Sequence, residues 1–69
     1  MTSTAWNVSL WIHNDEVLYK LACKCLAIGG SVKDAAKTMK QLMNESNITH
    51  TRDGYEYSVA AIKQAMETF

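Results

Sequence analysis

The side chains best equipped for chemistry in this chain of 69 residues are His13, His50, Cys23, Cys25 and the neighbouring carboxylates Asp15 and Glu16. Nucleophilic catalysis needs an activated Ser, Cys or Lys beside a base, and no second feature ties either histidine to a cysteine. Asp15 and Glu16 are adjacent. On a helix adjacent side chains point about 100° apart, so the two cannot flank one substrate atom, and helix capping already accounts for them. Cys23-x-Cys25 with His13 and His50 makes four potential zinc ligands. Cysteines two apart on a helix diverge, however, and the spacing matches no paired-ligand zinc pattern. A core of this size also rarely leaves room for a pocket of ~300 Å³. The sequence therefore predicts a protein without catalytic residues, metal or cofactor.

Charge narrows the partners. Seven Lys and Arg balance seven Asp and Glu, which excludes a strongly basic nucleic-acid binder and an acidic mimic of DNA. Lys33, Lys37 and Lys40 form a basic stripe, with Arg52 and Tyr55 near the tip of a candidate turn. Helix, double-glycine turn, helix and hairpin is loosely the order of a winged DNA-binding domain, and Ser31 to Lys37 reads like a first helix of a helix-turn-helix. A recognition helix should then follow after three or four residues, yet the polar stretch 45–57 intervenes. A solvated helix face is the plainer reading of the lysines, and nucleic acid is the less expected partner.

These residues must be carried by a mainly α fold, a compact bundle of three to four short helices in one domain over 1–69. Asn14-Asp15-Glu16 offers an N-cap followed by acids in the first turn, opening a helix over about 15–28. Its stripe is Val17, Leu18, Leu21, Ala22, Cys25 and Ile28, and Gly29 or Gly30 supplies the left-handed residue that ends it. Ser31 caps a helix over about 31–44, with Val32, Ala35, Ala36, Met39, Leu42 and Met43 on one side. Ser58 caps a last helix over about 58–68 with Val59, Ile62, Met66 and Phe69 inward. Residues 48–57, centred on Asp53-Gly54, read equally as a short hairpin or as a structured loop. Residues 4–12 alternate like a strand, whereas a helix capped by Ser3 or Thr4 would scatter its apolar residues around the circumference.

Trp6-Asn7-Val8-Ser9-Leu10-Trp11-Ile12-x-Asn14-Asp15-Glu16-x-Leu18-Tyr19 resembles a Trp-Asn-Val-x-Leu-Trp-Ile-x-Asn-Asp-Glu-x-x-Tyr segment of small bacteriophage and plasmid proteins. The resemblance implies a short helix over about 4–12 leading into the capped one. It also implies a setting: a small phage-type protein that binds a host protein and inhibits or modulates a defence (CRISPR or restriction) or transcription complex. No run of 18 apolar residues and no cleavable leader is visible, so no membrane association is expected and the host cytoplasm is the expected location.

A chain this short buries only about 60% of its unfolded surface. With Cys23 and Cys25 too close to close a useful disulfide loop, association is the remaining source of stability, as a homodimer or with a partner. The two tryptophans cannot serve one surface in either geometry of residues 4–12. Trp6, in company with Leu10, is expected in the core, and Trp11 at the partner, together with Lys33, Lys37, Lys40, Arg52 and Tyr55.

Overall fold

The computed structural model describes residues 3–28 and 30–69. Four helices make up the fold: α1 (Thr4–Asn14), α2 (Glu16–Ile28), α3 (Val32–Glu45) and α4 (Val59–Met66). Each packs on two others, in the order α1, α2, α3, α4 and back to α1, and the α1–α4 contact is the most extensive. The core lies inside this ring.

The caps explain where the helices start. Ser3, Ser31 and Ser58 each sit in extended backbone and accept a hydrogen bond from the amide three residues on, at Trp6, Asp34 and Ala61. The second helix differs from expectation. α1 continues through Asn14, whose side chain turns back to the Leu10 carbonyl, and the cap is Asp15. Its Oδ1 accepts from the amides of Val17 and Leu18 at 2.9 and 3.0 Å. Two helices are thus joined through one extended residue. Gly30 takes the left-handed conformation, φ +87°, between α2 and α3; Gly29 lies outside the described residues.

The end of α3 sets up the following loop. Asn47 adopts φ +62°, the Asn47 amide bonds the Asn44 carbonyl and the Ile48 amide bonds that of Met43. This is a Schellman ending with Asn in the place glycine usually takes, and it turns Ile48 back onto the core. From there the chain makes a turn at Thr51–Gly54, closed by the Gly54 amide on the Thr51 carbonyl. Of the two readings of residues 48–57, the hairpin is not supported, and the segment is a structured loop. One isolated antiparallel bridge, His50 to Glu56, is all the pairing present, and the described residues contain no strand. The reason is length: Asn47 still belongs to the end of α3 and Ser58 already caps α4, so only residues 48–50 and 55–57 flank the turn, and they make a single bridge rather than a ladder.

Leu18, Ala22, Cys25, Ala35, Ala36, Met39, Met43, Ile62 and Met66 are buried as their spacing predicts, joined by Val8, Ile12, Tyr57, Ala61 and Ala65. Leu21, Val32 and Val59 pack at the edge of the core rather than inside it. Val17, Ile28 and Leu42, read as parts of buried stripes, are exposed, because each lies at the margin of its helix's apolar arc. α4 is also shorter than expected, and Phe69 lies beyond it and 40% exposed.

The larger correction concerns Trp6. It is 58% exposed and cannot be the core anchor. At 100° per residue Val8 and Ile12 share the inward side of α1, while Trp6 and Leu10 share the outward side. Trp11 falls at the boundary, half-buried against the core.

Candidate functional site

The residues that hold Trp11 begin on its own helix. Asn7, one turn earlier, is 4% exposed and its Nδ2 donates to Asp53 Oδ2 at 2.8 Å. The Trp11 indole Nε1 donates to the same oxygen at 3.2 Å. Asp53 can reach both because Thr51 builds the turn beneath it: the Thr51 amide bonds the Tyr55 carbonyl and its buried Oγ1 accepts from the Tyr55 amide at 3.2 Å. These two hydrogen bonds, that of Asn7 first, hold the Asp53 carboxyl below its ordinary range. The neighbouring Arg52 guanidinium lies 5.9 Å from the centroid of the Trp11 ring, within cation–π reach. The loop is therefore latched to α1 by an amide, an indole, a carboxylate and a guanidinium.

Beside this latch opens a groove of about 370 Å³, lined by Trp11, Asp15, Val17, Leu18, Ile48, His50, Arg52 and Tyr57. Its size exceeds what the short chain was expected to leave. The groove exists because the single-residue joint at Asp15 turns α2 away from α1, and the loop after Ile48 spans the gap. Its walls are Trp11, Val17, Leu18 and Ile48; Arg52 and His50 bring nitrogen donors, and Asp15 and Tyr57 bring oxygens. Asp15 is occupied by the α2 amides, and His50 Nδ1 lies 3.0 Å from Thr49 Oγ1. Burial, and secondarily the Asp15 charge, push the Tyr57 phenol above its ordinary range and keep it neutral. Neither Ser nor Cys lines the groove. The arrangement offers an apolar recess with a cation at its rim, which suits binding an apolar side chain next to a carboxylate.

The residues singled out in the sequence divide into two groups. Trp11 and Arg52 meet at the groove, and Tyr55 stands half-buried in the same turn. Lys33, Lys37 and Lys40 share one face of α3, with Lys33 and Lys37 exposed and Lys40 half-buried. Among the described residues none of the three makes an ion pair. α3 packs on α2 and α4, so this face and the Trp11 groove are separate features of the surface. Sequence reasoning missed Asn7 and Asp53. The Asn7 position, one helical turn before Trp11, was the available signal, because a polar residue there is odd unless something ties it down.

His13 sits at the end of α1 with Nε2 2.8 Å from Thr68 Oγ1, and His50 in the loop. Cys23 is exposed and Cys25 buried, both as free thiols; burial raises the Cys25 thiol, with Lys24 opposing weakly. Among the described residues no three His, Cys, Asp or Glu side chains gather closely enough to hold a metal ion, and no helix is long and apolar enough to cross a membrane.

No curated protein and no solved structure matches the chain. A family model matches it from residue 1 to residue 69, and the chain belongs to that family, DUF7249, a family of unknown function.

Proposed function

We propose that this is a non-enzymatic protein-binding module of phage type, which docks on a host protein and inhibits or modulates the complex to which that protein belongs, a defence (CRISPR or restriction) or transcription component acting in the host cytoplasm. The groove beside Trp11 carries this reading. Interface energy concentrates where a rigid aromatic or Arg anchor borders an apolar recess, and here Trp11 and Arg52 are held in place before any partner arrives. The resemblance of residues 6–19 to phage and plasmid proteins supports the setting.

The test is capture from a bacterial host lysate on immobilised protein, compared with Val17→Glu and Arg52→Glu variants. Both side chains are exposed, so the variants keep the fold. The reading expects a protein retained by the wild type, lost with either variant, and held about equally at ~50 and ~200 mM salt. Retention of the same proteins by all three forms defeats the groove as the docking site.

One observation favours a second reading, a small DNA-binding regulator. Residues 29–31 alone separate α2 from α3, and Lys33, Lys37, Lys40 and Asn44 share the side of α3 opposite the buried Met39 and Ala35. That is a helix-turn-helix order with α3, not α4, as the reading helix. The winged version has lost its wing, since residues 48–57 form no hairpin. Nucleic-acid binding that collapses between ~50 and ~200 mM salt and vanishes in a Lys33→Glu, Lys37→Glu variant would establish it in place of the first.

A further inference from the structure

A second exposed surface lies away from the groove. Trp6, Leu10 and His13 stand at i, i+4 and i+7 on α1 and therefore form one stripe. At its end the His13 ring lies 4.6 Å from Phe69 and 6.1 Å from Tyr19, and Tyr19 stacks on Phe69 at 4.9 Å. The stripe thus runs without a break from Trp6 into a three-ring cluster drawn from α1, α2 and the segment after α4. Trp6, Leu10, Tyr19 and Phe69 are 58, 40, 43 and 40% exposed. None of the five side chains is a carboxylate, a lysine or an arginine. The charges that border them along α2 and α4 are matched within their own helices, Glu16 with Lys20 at 2.8 Å and Lys63 with Glu67 at 3.2 Å.

We propose that this stripe is a two-fold interface with a second copy of the same chain, in which the two α1 helices lie antiparallel and cross at Leu10. The spacing of the stripe carries the proposal. Trp6 precedes Leu10 by about 6 Å of helix rise and His13 follows it by about 4.5 Å. Antiparallel pairing about Leu10 therefore places Trp6 of one copy over the His13–Tyr19–Phe69 cluster of the other, and the reverse. One end of the stripe is a large ring and the other a bed of rings, so the surface complements itself under a two-fold rotation.

Charge points to the same occupant. An isologous contact sets one surface against the same surface, so a patch of one sign meets its own sign. The lysine face of α3 would repel itself there, whereas the side chains of the α1 stripe carry no fixed charge to repel. A stable interface takes about 800 Å² from each partner. From a molecular surface of 4420 Å² that is nearly one fifth, so the residues flanking the stripe must be covered along with it. The groove beside Trp11 is not used, so each copy would keep its own.

Sedimentation equilibrium, from low micromolar to near-millimolar concentration, tests the idea on the full chain. The wild type is expected to approach twice 7.7 kDa. A Trp6→Glu, Leu10→Glu variant, with circular dichroism confirming its helices, is expected to stay at 7.7 kDa, and a Lys33→Glu, Lys37→Glu variant to dimerise like the wild type. In a dimer mixed from labelled and unlabelled chains, isotope-filtered NMR should connect the Trp6 indole protons to the rings of Tyr19 or Phe69 in the other copy. That measurement decides the matter if the double variant fails to fold. A wild type that remains at 7.7 kDa throughout overturns the proposal, and so does a dimer that survives the two glutamates or lacks the Trp6 cross-peaks. A monomer that captures a host protein through this stripe also overturns it. The mass and the cross-peaks do not bear on the groove, whose variants Val17→Glu and Arg52→Glu dimerise normally under this proposal.

Discussion

The indole of Trp11 donates to the carboxylate of Asp53, 42 residues further along the chain, and the amide of Asn7 donates to the same oxygen. One acceptor thus fixes the loop before α4 to two successive turns of α1. Asn7 Oδ1, by contrast, is buried with no hydrogen-bond partner. Asn7 must keep its amide nitrogen towards Asp53, and the oxygen is left facing the interior. Asn7→Asp should therefore be severe. It replaces the donor by a second carboxylate beside the first, in a buried position, at a cost of about 3 kcal/mol at neutral pH. Urea melts should show this loss shrinking in acid, where the introduced carboxylate is protonated.

The latch itself should respond to pH. Because its two hydrogen bonds lower the native carboxyl of Asp53 below the ordinary 3.8, Asp53 adds stability above that value and loses it as pH falls through the native one. The Trp11 indole N–H resonance is the reporter. It should hold its position from neutral pH down through the usual aspartate range and move only below it. In Asp53→Ala it should sit at its low-pH position throughout. A midpoint at or above the ordinary value would show that the bonds do not persist in solution.

Truncation separates the tryptophans by stability. Trp6→Ala removes an outward side chain and should change the unfolding free energy of the monomer by no more than about 0.5 kcal/mol. Trp11→Ala removes a half-buried ring and its hydrogen bond, and should cost about 2 kcal/mol. Denaturant melts at low concentration, where association is suppressed, give both values.

Ile62 is fully buried and α4 carries few other large side chains, so Ile62→Ala should cost about 3 kcal/mol. That approaches the whole net stability of a core this size, about 3–5 kcal/mol. The expected result is a chain largely unfolded at 37 °C by circular dichroism.

Thiol reactivity gives an independent check on α2. Cys23 is exposed and should react at once with a thiol reagent, while buried Cys25, its thiol raised by that burial, should react only as the protein opens. Two fast thiols in the native protein would mean that α2 does not face inward at Cys25.

The helices were legible wherever a serine cap preceded a clear apolar stripe, as at Ser31 with Ala35, Ala36, Met39 and Met43. The sequence was less informative at three places, each for a physical reason. Asn14 and Asp15 are both good caps, and only the direction in which the chain turns decided for Asp15. The Asp53-Gly54 turn was visible, but the shortage of paired residues around it depends on Asn47 closing α3, which no local pattern announces. Trp6 and Trp11 are alike in type, and the company they keep misleads: Trp6 shares its side of α1 with Leu10, which is itself outward-facing. The candidate site was half legible. Trp11 and Arg52 stand out by residue type, whereas Asp53 reads only as a turn residue, because its partners lie far away in sequence.

The closure of the helix ring through α1 and α4 has a consequence for how the protein is made. α1 is made before the other three helices, yet its most extensive contact is with α4, the last of the four. Until residues 59–66 emerge, Val8 and Ile12 have no complete cavity to enter, and Asn7 and Trp11 wait for Asp53. A nascent chain lacking α4 therefore carries an apolar helix without its main cover, open to chaperones and to neighbouring chains. Assembly must therefore wait for α4 and be nearly all-or-none. Because that closing contact spans almost the full sequence, the domain should fold slowly for a protein built of short helices.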